Sequence, residues 1–284
     1  MTRPEASSAQ GDDRWELPRG PGATTGSTPS TQEQHPKAST AGWADLCHRL
    51  GSSATSGALE AVAVELLGRW SEPHRHYHNR AHLAFVLDAI DTLAGAAAAR
   101  GPSSGRQPGK DQPAGVQSGG QRTGAPSRAH DLAAAAAWYH DAIYDPTRSD
   151  NEERSAALAR EQLDTIGVGA GVRDEVMRLV LLTRGHQPAL GDAAGRLLCD
   201  ADLAILATAP EVYERYAGAV RVEYAHLPDE EYHAGRIAVL EDLRRRALFH
   251  TSYARQHWET AARANLDREL RTLNAARSGG VPPP

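Results

Sequence analysis

From Gly57 to Trp70 the apolar residues return every three or four positions, so that Leu59, Val62, Ala63, Leu66 and Trp70 share one face of a helix. The same period recurs down the chain. His82 is followed by Leu83, Val86, Leu87, Ile90 and Leu93, and Val176, Val180 and Thr183 line a segment that stops at Gly185. Trp258, Ala262, Leu266, Leu270 and Leu273 mark a last helix from about Ala254 to Ala276. Start and stop signals agree with this pattern. Asp150 followed by Glu153 reads as a capping box, and Gly167 closes the helix it opens. Pro210 suits the first position of a helix running to about Ala225, and Asp229 reads as the cap of another running through Phe249. No run alternates with the period of a strand. The pattern predicts an all-α bundle of about eight or nine helices.

Composition narrows the folded part. Residues 1–41 and 100–128 are crowded with small and polar side chains and bury too little apolar surface to offset chain entropy, so both are expected to be disordered, as are residues 277–284. One domain over 42–276, carrying 100–128 as an insertion, is the expected organisation. The insertion holds five Lys/Arg against one Asp, which a solvated loop explains. The net charge of −5 and the lack of a basic stripe argue against a nucleic-acid polymer as partner. The chain shows no internal repeat, no signal-peptide pattern and no run of ~18 uninterrupted apolar residues, so no membrane is expected. Two distant cysteines, Cys47 and Cys199, fit a reducing cytoplasm.

The dipeptide His-Asp occurs twice in "AHDLAAAAAWYHDAIYDPTRSDNEERSA". In His130-Asp131, Asp131 is placed to cap an alanine-rich helix, which leaves His130 in solvent. His140-Asp141 follows small residues suited to burial at a close helix contact, where a buried charge needs a partner. Asp202, in "RLLCDADLAILA", sits among Leu198, Ile205 and Leu206 on an apolar stripe without a local basic partner. Asp200 points elsewhere, nearer Arg196, as a solvated acid or one that orients an imidazole. Four of the thirteen histidines lie within nine residues of "EPHRHYHNRAHLAFVL". His74 and His76 read as surface residues, His78 and His82 are spaced i,i+4, and His82 stands directly ahead of the apolar stripe. Histidine with aspartate is a ligand set for a divalent transition metal. Together His82, His140-Asp141 and Asp202 form an H…HD…D pattern spread over different helices.

With these residues the sequence resembles the HD superfamily of metal-dependent phosphohydrolases, in particular its bacterial branch of unknown substrate. The likeness runs from about residue 43 to 275 through "RHYHNRAHLAFVL", "AAWYHDAIYDPTRSDNEERSA", "TRGH", "LLCDADLAILA", "VRVEYAHLPDEEYHAGRIAVLEDLRRRALFHT" and "ARANLDREL". "YHNRAH" is also similar to a stretch of cyclic-nucleotide phosphodiesterases, where the second histidine is a metal ligand and the earlier one a general acid. The resemblance implies an HD helical bundle with the metal at its centre. It further implies His82, His140, Asp141 and Asp202 as ligands, with Asp202 chosen over Asp200, and His78 as a candidate acid. The chain departs from the pattern in the 58 residues between His82 and His140, a gap widened by the insertion.

The activity so implied is hydrolysis of a small phosphorylated metabolite, such as a nucleotide, through a water on a Mn, Co, Ni, Fe or Zn ion. Asp141 can coordinate with one oxygen and hold the attacking water with the other, and Asp200 can orient an imidazole. Arg80, Arg184 and Arg236 are the candidate phosphate-binding arginines. His186, in "TRGH", can serve a second metal or phosphate, or merely end a helix. Asp145, Glu152 and Glu153 are further acids near the site, Glu153 with a capping role of its own. A di-iron oxygenase needs extra ligands, with His186 and Glu152 available. A metal- or nucleotide-binding regulatory protein is the third reading.

Overall fold

Several helices of this chain begin where a small polar side chain accepts free helix amides. The computed structural model describes residues 35–100 and 126–277. Ser39 accepts the Gly42 N–H at the start of α1 (Thr40–Arg49), and Thr55 accepts that of Ala58 at α2 (Ser56–Arg69). The Asn79 side chain accepts the Ala81 N–H at 2.9 Å where α3 (Arg80–Arg100) begins. Ser127, not Asp131, caps α4 (Arg128–Tyr139). Next along the chain are α5 (Asn151–Thr165), α6 (Ala170–Leu182), α7 (Ala193–Asp202), a 3-10 turn (Leu203–Ala207), α8 (Pro210–Glu223), α9 (Asp229–Arg245), α10 (Ser252–His257) and α11 (Glu259–Arg277). Gly167, at φ +71°, adopts the left-handed conformation that ends α5. The fold is all-α, and no strand occurs among the described residues.

Several boundaries differ from expectation. Eleven α-helices stand among the described residues, against the eight or nine expected, and the last predicted helix breaks at Trp258 into α10 and α11. The Asp150 side chain makes no cap bond; it is taken by Arg148 at 2.7 and 2.6 Å, while Glu153 is taken by Arg184. Pro228 rather than Asp229 precedes α9, which ends before Phe249, and Asp229 pairs with Arg221. Residues 35–41 are part of the fold: Ala38 is buried, and Lys37 bridges Asp88 and Asp91. Of the segments expected to be disordered, residues 1–34, 101–125 and 278–284 lie outside the described residues.

The core is aromatic at its centre and alanine-lined where helices meet. Trp43, Trp70, Trp138 and Trp258 are fully buried. Ala133 to Ala137 are buried in succession, so α4 presents a thin surface on several sides and packs against α3, α6 and α7. α3 is long and apolar enough, by length and composition, to cross a membrane; here it packs against α4, α7 and α10. α3 and α4 run antiparallel, since His82 meets His140 near one end and Asp91 meets His130 nearer the other. Asn265 fastens the 3-10 turn to α11 by donating to the carbonyls of Leu206 and Thr208 at 2.8 and 2.9 Å.

Candidate metal centre

Three helices deliver the predicted ligands to one point. His82 lies in the first turn of α3, His140 follows the last residue of α4, and Asp202 ends α7. One donor atom from each of these three residues lies within 4.8 Å of the others, a group able to hold a metal ion. His82 Nε2 is 3.2 Å from His140 Nε2, and Asp202 Oδ1 is 3.2 Å from the first and 3.4 Å from the second. Asp141 stands beside them, its Oδ2 at 3.1 Å from His140 Nε2 and 3.9 Å from His82 Nε2.

The donor set fits a cation. His140 Nδ1–H donates to the Ala137 carbonyl at 2.9 Å, which leaves its Nε2 facing the group. His82 has no such partner: its Nδ1 is buried without a hydrogen bond. Both imidazoles are sealed at 1% exposure, with Trp70 packed against each and the Tyr77 ring 4.7 Å from His82. Asp141 and Asp202 are more open, at 20% and 14%, so the approach from solvent runs over carboxylates. Burial opposes charge on every member. Against it, Asp141 and Asp202 together hold the His140 imidazole well above its usual range, while burial keeps His82 below its own. Burial likewise disfavours ionised Asp202, but His140, then His186 and His82, hold it well below the ordinary carboxyl value. Two ionised carboxylates aimed at two imidazole nitrogens form a pocket that favours positive charge.

His78 enters from the loop before α3 and shares no helical face with His82, since α3 starts at Arg80. Its ring stacks on Tyr144 at 4.3 Å and lies 5.7 Å from the His82 ring. Its Nδ1 meets Glu223 Oε2 at 2.7 Å. The side chain of Glu223, the last residue of α8, is completely buried; its Oε1 accepts the N–H groups of His76, Tyr77 and His78, and its Oε2 accepts the Tyr144 hydroxyl. Burial works against both charges, yet the pair holds the His78 imidazole above its usual range and the Glu223 carboxyl at about 2. Sequence reasoning missed Glu223, although the signal that exposed Asp202 was present. With Tyr213, Tyr216 and Val220 it forms an apolar stripe at i, i+3, i+7 and i+10, interrupted by one acid. It also missed Arg75, whose buried guanidinium donates to the carbonyls of His78, Asp141 and Ala142 at 3.0, 2.7 and 3.2 Å.

The remaining candidates divide. His186 reaches the site: its Nε2 is 2.7 Å from Asp202 Oδ2. His74 and His76 are exposed as expected. Asp200 is not solvated: fully buried, it accepts the backbone N–H groups of His250 and Thr251. Asp145 closes its own turn by accepting from Thr147, and Glu152 stays half-buried in the first turn of α5. Two of the three arginines are committed elsewhere. Arg184 is tied to Glu153 and the Ser149 carbonyl, and Arg236 is buried in a paired bond to Glu269 with Tyr216 beside it. Arg80, two residues before His82 and half-buried, carries no ion pair among the described residues. The His130-Asp131 dipeptide is structural, by a route other than capping. Asp131 is buried against Arg49 at 2.9 Å and His130 at 3.1 Å, and His130 turns inward to Asp91.

No protein-family model matches the chain, and no curated protein and no solved structure is similar to it.

Proposed function

We propose that this chain is an HD-type metal-dependent phosphohydrolase that hydrolyses a small phosphate ester such as a nucleotide. The observation that carries the reading is the meeting of His82, His140 and Asp202, drawn from three helices far apart in sequence, with Asp141 alongside. Mixed imidazole and carboxylate donors suit Mn, Co, Ni, Fe or Zn in the divalent state. Such an ion lowers the pKa of a bound water and draws charge from a phosphoryl oxygen.

The chain's own groups supply the rest. Asp141, the more open of the two carboxylates, accepts the proton of the attacking water. His78, its Nδ1 held by Glu223 and its ring 5.7 Å from that of His82, donates to the leaving oxygen. Arg80 is the arginine left to meet a phosphate oxygen at the mouth of the site. Arg75 fixes the backbone of both loops, because one guanidinium binds carbonyls on each.

The test is a screen of the purified chain against nucleotides and sugar phosphates with Mn²⁺, Co²⁺ and Ni²⁺. Phosphate release that chelator stops, that metal restores, and that His82→Ala removes without unfolding supports the reading. Two irons per chain with oxygen uptake and no phosphate release would instead support the oxygenase. Tight metal binding without turnover of any kind would support a regulatory binder.

A further inference from the structure

His186 is the one non-glycine residue at positive φ among the described residues, at 50°. Histidine tolerates the left-handed region better than most side chains, but glycine fits it without strain. Contacts close a circuit around this turn. The ring Nε2 meets Asp202 Oδ2 at 2.7 Å, and the His186 carbonyl meets His250 Nε2 at 3.1 Å. The amides of His250 and Thr251 donate to Asp200, each at 2.7 Å. Arg246 binds the Gly185 carbonyl from the same side. Asp200 and Asp202, two residues apart on α7, therefore grip one pair of loops from two directions.

The two oxygens of Asp202 have separate duties. Oδ1 faces His82 and His140, whereas Oδ2 is occupied by His186. His186 is not one of the three residues whose donor atoms converge within 4.8 Å. A carboxylate with a free second oxygen can rotate, chelate with both atoms or turn to water. One held by a hydrogen bond on Oδ2 presents Oδ1 alone, already aimed. Partners of this kind commonly change metal affinity by ~10–100-fold when removed.

We propose that His186 is a positioning residue of the metal centre, held in a strained backbone so that its ring fixes Asp202 with Oδ1 toward the ion. This rests on the reading of His82, His140 and Asp202 as a metal centre. It makes a prediction that an ordinary structural role does not: glycine at 186 helps the fold relative to alanine and still fails the metal.

The experiment uses the full chain with His186→Gly, His186→Ala and His186→Gln, read by Mn²⁺ calorimetry and by thermal melting in chelator. His186→Gly is expected to melt above His186→Ala, because it relieves the left-handed strain, and yet to bind Mn²⁺ at least tenfold more weakly than the parent. His186→Gln, whose amide nitrogen can occupy the position of the ring Nε2 and donate to Asp202 Oδ2, is expected to recover part of the affinity. A loss under tenfold in His186→Gly, or melting at or below His186→Ala, overturns the proposal. If the parent chain binds no divalent ion, the metal centre falls and this proposal with it. If the parent binds and the glycine variant matches it, only the proposal falls. Phosphate release is not read, so failure of the proposed reaction stays separate from failure of this assignment.

Discussion

Replacing Glu223 with glutamine keeps the shape of the side chain and removes its charge from a site with no access to water. Oε1 still accepts the amides of His76, Tyr77 and His78, but the group opposite His78 Nδ1 and the Tyr144 hydroxyl becomes a donor. A carboxyl held at about 2 instead of 4.5 corresponds to about 3 kcal/mol of native-state stabilisation at neutral pH. For a folded part of this size that is a melting shift of roughly 6–12 °C. The sign with pH follows from the depressed value. The stabilisation is complete above the ordinary carboxyl pKa of 4.5 and is lost as pH falls through about 2. The gap between parent and variant should therefore be narrower at pH 4 than at pH 6 by roughly 0.8 kcal/mol. His78 acts in the opposite direction: its raised imidazole stabilises at low pH and loses that contribution as pH rises through its folded-state pKa. Urea unfolding monitored by circular dichroism, in chelator to remove any contribution from metal, measures the difference. A variant within 1 kcal/mol of the parent, or a gap that widens as pH falls, would refute the coupling drawn between Glu223 and the His78 loop.

Asp131→Ala should lower stability by about 1–2 kcal/mol, since Arg49 is partly solvated, and leave Mn²⁺ affinity unchanged; a loss of metal binding would mean the wrong His-Asp pair was assigned. A chain begun at residue 42 should melt below one begun at residue 35, because it lacks Ala38, the Ser39 cap and the Lys37 bridge to Asp88 and Asp91; equal melting temperatures would count against the role given to that segment. Mn²⁺ at a hundred times its dissociation constant should stabilise the fold by about 2.7 kcal/mol, and Asp202→Ala should abolish that gain; scanning calorimetry with and without chelator decides it.

The helices were legible because their apolar faces are local patterns, and so was the metal centre wherever a single residue violated its own pattern. Asp202 declared itself as an acid on an apolar stripe. Glu223 broke the same rule, but its partners lie 145 to 147 residues away at His78, Tyr77 and His76, and no local spacing points to them. Arg236 looked available for phosphate because its partner Glu269 is 33 residues distant. Ser127 and Asp131 are four residues apart, both able to cap, and only burial against Arg49 distinguishes them. The break at Trp258 left no trace in the periodicity, since Trp258, Ala262, Leu266, Leu270 and Leu273 keep a helical spacing onward from it.

α3 carries the chain away from the candidate metal site at His82, and α4 brings it back at His140. At 1.5 Å per residue, the point where the chain leaves Arg100 is roughly 27 Å along α3 from His82, and the point where it re-enters at Arg128 is roughly 18 Å along α4 from His140. The described chain thus leaves and re-enters at the end of the α3–α4 pair remote from His82 and His140. Insertions, deletions or a foreign domain spliced there change the spacing of the two ligands in the sequence without moving either in space. The interval between His82 and His140 along the sequence therefore carries no information about their separation in space.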